Sequence, residues 1–385
     1  MAYVLTALLA IPLLLLIHSY IIFPLWMIYF QQPVAYPKHT TPALKVTVII
    51  AAHNEAAVIG DKLETVMATT YPLNHLTVMV GSDASTDDTD AILQRYARQY
   101  PQIIYHRFEK RTGKPQILNW LANKADGDIL VLTDADALFY PETLPNLLCP
   151  FHDPDVGGVQ ANLLTKTKAN EQVAYQEVNY NQREVKIKGG EGAKGAVIGA
   201  DGTCYAIRRS LFKPVPAGFY VDDFFIFMSI LQQGYQTGFA SDAYCVMQVS
   251  GDSGIQFRRK VRISKGNFQN LGYFGMLANP LRSFAGYAFF SHKIIRWIGP
   301  FLMVLILGAN CMLLAYHDFF KVILAMQLVF YGLGFIDLLL RKLNWYVTPL
   351  RYVSHFLLMN VALLIGFFQY LLIPGDGTWE STPKA

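Results

Sequence analysis

A chain of 385 residues that is 53% hydrophobic and 16% charged is too long for one ordinary soluble core and too apolar for a disordered one. A formal net charge of +4 is too mild to argue for nucleic acid, and with no nucleic-acid motif in the chain that class of partner is set aside. Cys149, Cys204, Cys245 and Cys311 stand far apart without C-x-x-C spacing, which argues against a zinc site or a disulfide framework and fits a reducing compartment.

Residues 3–30 carry no charge and exceed the roughly 20 residues that a helix needs to cross the hydrocarbon layer. No basic segment precedes them and no small-residue cleavage site follows, so residues 1–33 read as an N-terminal transmembrane anchor rather than a cleaved leader. From residue 44 the composition changes to that of a soluble α/β domain. Residues 46–51 form a β-branched run ending at His53-Asn54-Glu55, and 56–69 have helical spacing. The pattern repeats: a strand at 76–80 runs into Gly81-Ser82-Asp83-Ala84-Ser85-Thr86-Asp87-Asp88, a helix follows over 89–100, and 103–106 are a short strand. Residues 129–132 then lead into Thr133-Asp134-Ala135-Asp136. Strands alternating with helices imply a largely parallel sheet whose ligands gather where strand C-termini open into loops. Carboxylates stand in those places at Glu55, Asp83, Asp134 with Asp136, and Asp222 with Asp223. Such clustering repels itself unless a hard cation relieves it through oxygen ligands, whereas a single Asp-x-Asp is more often a cap or a turn.

Downstream, Gly189, Gly190, Gly192, Gly195, Gly199 and Gly202 suggest a flexible loop. Residues 266–293 are aromatic but broken by Pro280, Arg282 and His292, as suits interfacial helices at a membrane surface. Within 294–373, stretches at 294–316, 319–340 and 352–373 are each long enough to span, and 374–385 form a tail. Lys293 and Arg296 at the start of the first stretch, Arg341, Lys342 and Arg351 between the second and third, and Lys38 and Lys45 after the anchor put the middle domain in the cytosol and, with four spans, both termini outside. Asp337 lies one turn from Arg341, which points to pairing or to snorkelling near the interface rather than to a proton relay.

The segments Val48-Ile49-Ile50-Ala51-Ala52-His53-Asn54-Glu55, Ser82-Asp83-Ala84-Ser85-Thr86-Asp87, Gly113-Lys114 with Leu118-Asn119, Asp134-Ala135-Asp136, Gly202 with Arg208-Arg209, and Asp222-Asp223 occur in the order found in family-2 inverting glycosyltransferases. The resemblance covers residues 44–265, and the flanking spans resemble the membrane-bound branch that includes cellulose, hyaluronan and poly-N-acetylglucosamine synthases. It implies a GT-A-like, Rossmann-like cytosolic domain joined to α-helical transmembrane segments in a multi-pass protein of the bacterial inner membrane. It further implies an inverting transferase that uses Mg2+ or Mn2+ and a nucleotide-sugar donor, commonly a UDP-sugar. The acceptor would be a glycan or a lipid-linked saccharide in envelope or exopolysaccharide synthesis, with partner subunits of a polysaccharide assembly system.

Carried over residue by residue, Ala52, His53, Glu55 and Asp83 line the nucleotide pocket, and Lys114 meets the diphosphate. Asp136 binds the metal, with Asp134 as a second ligand or a donor contact. Asp223, beside Asp222, is the base that takes the acceptor proton, although Val221-Asp222-Asp223 replaces the Thr-Glu-Asp usual in processive enzymes. The same acids also suit a helix N-terminus. Gln256 and Arg259 match a Gln-x-x-Arg-Trp motif that contacts donor diphosphate and acceptor, but Lys260 replaces the Trp. That replacement leaves open a single-addition enzyme acting on polyprenyl phosphate or a lipid-linked intermediate, and 258–265 also read as a basic interfacial helix. A non-catalytic glycan-binding subunit is the remaining alternative.

Overall fold

The computed structural model describes residues 1–29, 44–166, 172–248, 253–343, 345 and 347–375; Lys38, residues 30–33 of the anchor and 376–385 of the tail lie outside the described residues. The chain divides into two units, each described by itself. One comprises Met27–Asp252, Gly272–Ala288 and Pro374–Ala385, and the other Met1–Trp26, Ser253–Leu271 and Phe289–Ile373.

The first unit is built on a sheet of eight strands. They are β1 (Val46–Ala52), β2 (Leu76–Asp83), β3 (Ile103–Phe108), β4 (Ile129–Thr133), β5 (Leu138–Phe139), β6 (Val156–Lys166), β7 (Cys204–Arg208) and β8 (Gln236–Gln248), in the order β3-β2-β1-β4-β7-β6-β8-β5. β1 and β4 are buried at every residue, which is why they read as unbroken apolar runs rather than alternating ones. Helices Ile59–Met67, Thr89–Gln99 and Lys114–Lys124 make the crossovers, and apolar residues of the first two join the core of Val48, Ile50, Val78, Val80 and Val131.

Parallel pairing runs across β3-β2-β1-β4 and is then interrupted: β7 is antiparallel to both β4 and β6, β6 and β8 are again parallel, and β5 is antiparallel to β8. That reversal has a local consequence. An antiparallel neighbour begins where β4 ends, so Thr133 pairs with Cys204 and the Asp134 N–H donates to the Gly202 carbonyl at 3.0 Å.

The glycine run is not a flexible loop. Gly189, Gly190 and Gly192 close the helix Gln172–Gly192 and are buried. A Cβ at Gly192 would meet the Phe239 backbone at 2.9 Å, and one at Gly199, where φ is +75°, would overlap the Phe224 ring. Close packing, rather than mobility, explains these glycines.

In the second unit, Ala2–Tyr29, Phe319–Lys342 and Thr348–Leu372 are long and apolar enough to cross a membrane. Ala2–Ile17 packs on Gly299–Leu313 through Leu5, Leu9, Ile306, Ala309 and Leu313. The stretch 294–316, expected as one span, is interrupted at Ile298, and the helices Phe284–Trp297 and Gly299–Leu313 meet at 65°. Pro300 explains the break, since its ring removes the N–H that would bond the Arg296 carbonyl and crowds that carbonyl. Helix Ser253–Phe274 lies close against Thr348–Leu372, with the Ser264 hydroxyl donating to the Leu363 carbonyl at 2.9 Å beside Gly366. Asp337, fully buried, is held by Arg341 Nε at 2.7 Å and by the Ser354 hydroxyl, with Arg351 at 3.7 Å. It is the pairing to which the sequence spacing points.

Candidate active site

The loops after β1, β2 and β4 open on one edge of the sheet because these strands are adjacent and parallel. The first two are knitted together. Asn54 Oδ1 accepts from the Thr86 N–H at 2.8 Å, the Glu55 N–H donates to the Thr89 hydroxyl at 2.8 Å, and the His53 ring is 2.7 Å from the Asp83 carbonyl. Asp87 bonds the N–H groups of Thr89 and Ala56, so it ties the start of helix Thr89–Gln99 to the first loop. Burial alone would raise its pKa, but the Thr89 hydroxyl and these N–H groups hold it below the usual carboxylate range. Asn54 and Ala84 sit in the left-handed region, at φ of +53° and +51°.

Ala52 and Glu55 are buried in this corner. Asp83, which the resemblance places in the nucleotide pocket, is fully buried and hydrogen-bonded inside the chain. Its two oxygens accept from the N–H groups of Thr112, at 2.6 Å, and Gly113, at 3.1 Å, and Arg111 Nε lies 3.3 Å away. Asp83 thus fixes the turn into helix Lys114–Lys124, where Gly113 takes a φ of +88° that favours glycine. Asn119 secures the same helix by pairing with both the N–H and the carbonyl of Val215, at 2.8 and 2.9 Å.

Lys114 emerges from that turn among carboxylates. Its Nζ is 2.6 Å from Asp134 Oδ1 and 3.8 Å from Asp222 Oδ2. Burial would lower its pKa, but Asp134, Asp222 and Asp223 outweigh burial and raise it, so the ammonium stays charged. Asp222 and Asp223 head helix Asp222–Gln232, which confirms the helix N-terminus expected from sequence. Asp223 is pushed up to about 7 by burial first and then by the charge of Asp222, against the opposing pull of Lys114 and the Phe224 N–H. Gly202 forms the floor between these groups: a Cβ there would lie 3.1 Å from Asp134 Oδ2, 3.3 Å from Asp223 Oδ2 and 3.3 Å from Lys114 Nζ. Only glycine leaves that space open.

The fold therefore brings together Lys114, Asp134, Asp222 and Asp223, with Asp136 partly buried on the same turn as Asp134. Gln256 and Arg259 lie on helix Ser253–Phe274, in the other unit. Arg208 and Arg209 hold backbone carbonyls, of Val156, Phe151 and Asp153 and of Gly127 respectively, which makes them staples of β7.

Among the described residues no three His, Cys, Asp or Glu side chains converge into a metal site. That donor set fits a cation held through one or two carboxylates and completed by phosphate oxygens and water, the usual habit of Mg2+, and not a self-contained cage. Asp134, Asp222 and Asp223 stand around the single ammonium of Lys114, and that surplus of carboxylates also suits an added positive charge.

Three participants carried no local motif. Asp201 is gripped by Lys188 at 2.9 Å, by Gln160 at 3.0 Å and by the Thr203 hydroxyl, and it fixes the backbone flanking Gly202. Tyr205, on β7 and 1% exposed, stands against Phe227 of the Asp222–Gln232 helix. Lys62, fully buried, lies beneath the Asp134–Asp136 turn. For Lys62 a signal existed: a lone lysine on the stripe Ile59, Leu63, Val66 and Met67.

Residues 47–215 match the sequence profile of glycosyl transferase family 2. The chain is 23% identical over 294 residues to the poly-beta-1,6-N-acetyl-D-glucosamine synthase of Staphylococcus aureus, covering 73% of this chain and 70% of that protein. A beta-monoglucosyldiacylglycerol synthase of Synechocystis is 34% identical over 138 residues, 35% of this chain and 28% of the relative. Among solved structures, a mannosyltransferase of Pyrobaculum calidifontis in complex with GDP-Man and Mn2+ has the same fold, at a TM-score of 0.68 and 23% identity, covering 95% of this chain and 99% of that one.

Proposed function

We propose an inverting, metal-dependent sugar transfer from a nucleotide sugar to a glycan or lipid-linked acceptor, on the ground that residues 47–215 match the glycosyl transferase family 2 profile and the sheet is GT-A-like. The observation that carries this reading is the convergence of Asp134, Asp223 and Lys114 on the open space above Gly202.

In this reading Asp223 takes the proton of the acceptor hydroxyl as the new glycosidic bond forms at the anomeric carbon and the bond to the diphosphate breaks. A carboxylate raised to about 7 is a stronger base than an ordinary one and is still ionised near neutrality. Asp222, 5% exposed beside it, keeps that value up. Asp136 and Asp134 would hold Mg2+ or Mn2+; the cation supplies charge neutralisation on the leaving diphosphate. Lys114 adds a second positive charge at the same place. Ala52, His53 and Glu55 line the nucleotide corner, and Asp83 holds the turn that presents Lys114.

The donor is assigned to the nucleoside-diphosphate sugars, with UDP-sugars as the reading from sequence and GDP-mannose, the ligand of the Pyrobaculum enzyme, as the comparison. Likeness to the staphylococcal synthase supports a role in envelope or exopolysaccharide synthesis at the bacterial inner membrane. The catalytic unit would be cytosolic, in the order set by Lys293, Arg296, Arg341 and Lys342. Lys260, where processive enzymes carry Trp, favours addition of a single sugar as the second reading.

The test is nucleoside-diphosphate release by the full-length protein in detergent, from UDP- and GDP-sugars, with Mg2+, with Mn2+ or with EDTA. Release that stops in EDTA and returns with metal is expected; release indifferent to EDTA overturns the metal reading. A ladder of long products from one donor excludes single addition.

A further inference from the structure

Lys62 is the least expected residue in the core of the catalytic unit. It lies on helix Ile59–Met67 between Ile59, Leu63 and Val66 and is 0% exposed. Its Nζ donates to the Thr133 hydroxyl at 2.8 Å and to the Ala137 carbonyl, and lies 3.6 Å from the centroid of the Phe139 ring. Those two oxygens mark the two ends of one turn: Thr133 is the last residue of β4, Ala137 immediately precedes β5, and Asp134, Ala135 and Asp136 lie between. The Thr133 hydroxyl passes the connection on, donating to the Thr203 carbonyl at 2.5 Å beside Gly202. The same helix adds a second tie, since the Thr65 hydroxyl accepts from the Phe139 N–H at 3.2 Å.

Burying an ammonium is costly, and a methionine of similar length would fill the volume without that cost. Burial indeed pulls the Lys62 pKa down to about 8, against the nearby charges, Asp134 and Asp136 among them. What lysine offers and methionine lacks is a donor that reaches both ends of the turn. We propose that Lys62 is a positioning residue that fixes the separation and direction of the Asp134 and Asp136 carboxylates and thereby sets the affinity for the divalent cation. The proposal rests on the metal reading given above.

Two effects of opposite sign make it testable. A positive charge beneath a cation site repels the cation, so a lysine acting through charge alone would tighten metal binding when removed. A lysine that positions the ligands would weaken it, on the order of tenfold, the smaller end of what loss of an outer contact costs a metal site. The experiment titrates Mn2+ into full-length wild type and Lys62→Met in detergent, with UDP or GDP present, and reads bound Mn2+ by electron paramagnetic resonance. The Mn2+ dependence of kcat and the Tm are measured alongside. The expected result is a Mn2+ midpoint roughly tenfold higher in Lys62→Met, with kcat recovering at saturating Mn2+. A midpoint that is unchanged or lower overturns the proposal, whatever happens to Tm.

If Lys62→Met does not fold, Thr133→Val removes the hydroxyl that accepts from Lys62, while Thr133→Ser keeps it. A raised midpoint in the valine variant alone supports the proposal, and equal midpoints in the two overturn it. A wild-type protein that binds no Mn2+ with either nucleotide overturns the metal reading itself, and this inference with it.

Discussion

The two units of this chain use the same side chains in opposite ways. In the sheet unit Val48, Ile50, Val80 and Val131 are fully buried, and polar groups collect at loops on one edge. In the helical unit Val322, Met326, Phe335 and Leu372 are more than half exposed, while Asp337, Arg351, Asn360 and His292 are inside. An apolar exterior with a polar interior is stable where the surroundings are themselves apolar. Charge follows the same division. Asp318 and Asp337 are the only acids of the helical unit against eleven lysines and arginines, so the other unit holds an excess of acids. Buried polarity therefore has different work in each: in one unit it holds helices together, and in the other it gathers Lys114, Asp134, Asp222 and Asp223 into the site proposed for the donor and a cation.

Variants can break or sharpen that division. The largest expected effect is Asp223→Asn, which keeps the shape but removes the proposed base. A fall in kcat of about 10³-fold is expected, with Tm close to wild type, read by product formation at saturating donor. Activity within tenfold of wild type would move the base elsewhere. Next is Asp337→Ala, which leaves Arg341 and Arg351 buried without their carboxylate. It is expected to destabilise the helical unit by about 3 kcal/mol, the cost typical of breaking a buried pair. Thermal unfolding in detergent reads the loss, and the sheet unit's chemistry should survive in the folded fraction. If Asp337→Ala abolished turnover without changing Tm, the two kinds of buried polarity would not be separate.

The smallest effect needs no mutation. Asp223 is raised above an ordinary aspartate, and it is the deprotonated form that acts, so activity is lost as pH falls through about 7. kcat/KM should drop about tenfold for each pH unit below that point and level off above it, and a pH profile flat from 5 to 8 would contradict the assignment.

Much of the site was legible in the sequence because a strand that ends in a polar loop is a local pattern. β1, β2, β3 and β4 follow their apolar runs to within a few residues, and Asp134, Lys114 and Asp223 do meet. What was hidden is long-range. No local pattern announces that β7 runs antiparallel to β4, yet this alone puts Gly202 against Asp134. The glycine run looked mobile because composition cannot show that Phe224 and Phe239 fill the space each absent Cβ leaves. Asp83 was expected at the nucleotide pocket because the family resemblance carries it there. Only the folded backbone shows the N–H groups of Thr112 and Gly113 directed at it.

Ala84 gives that second loop an unusual tolerance. At φ of +51° a Cβ costs about 1 kcal/mol, and the backbone is kept there by the Ala84 N–H, which donates to the Phe108 carbonyl at 3.1 Å. Glycine, which weakens most positions by enlarging the unfolded ensemble, would release a strain of similar size here. Evolutionary drift between alanine and glycine at this corner is therefore close to neutral, while a β-branched side chain is barred by the same geometry.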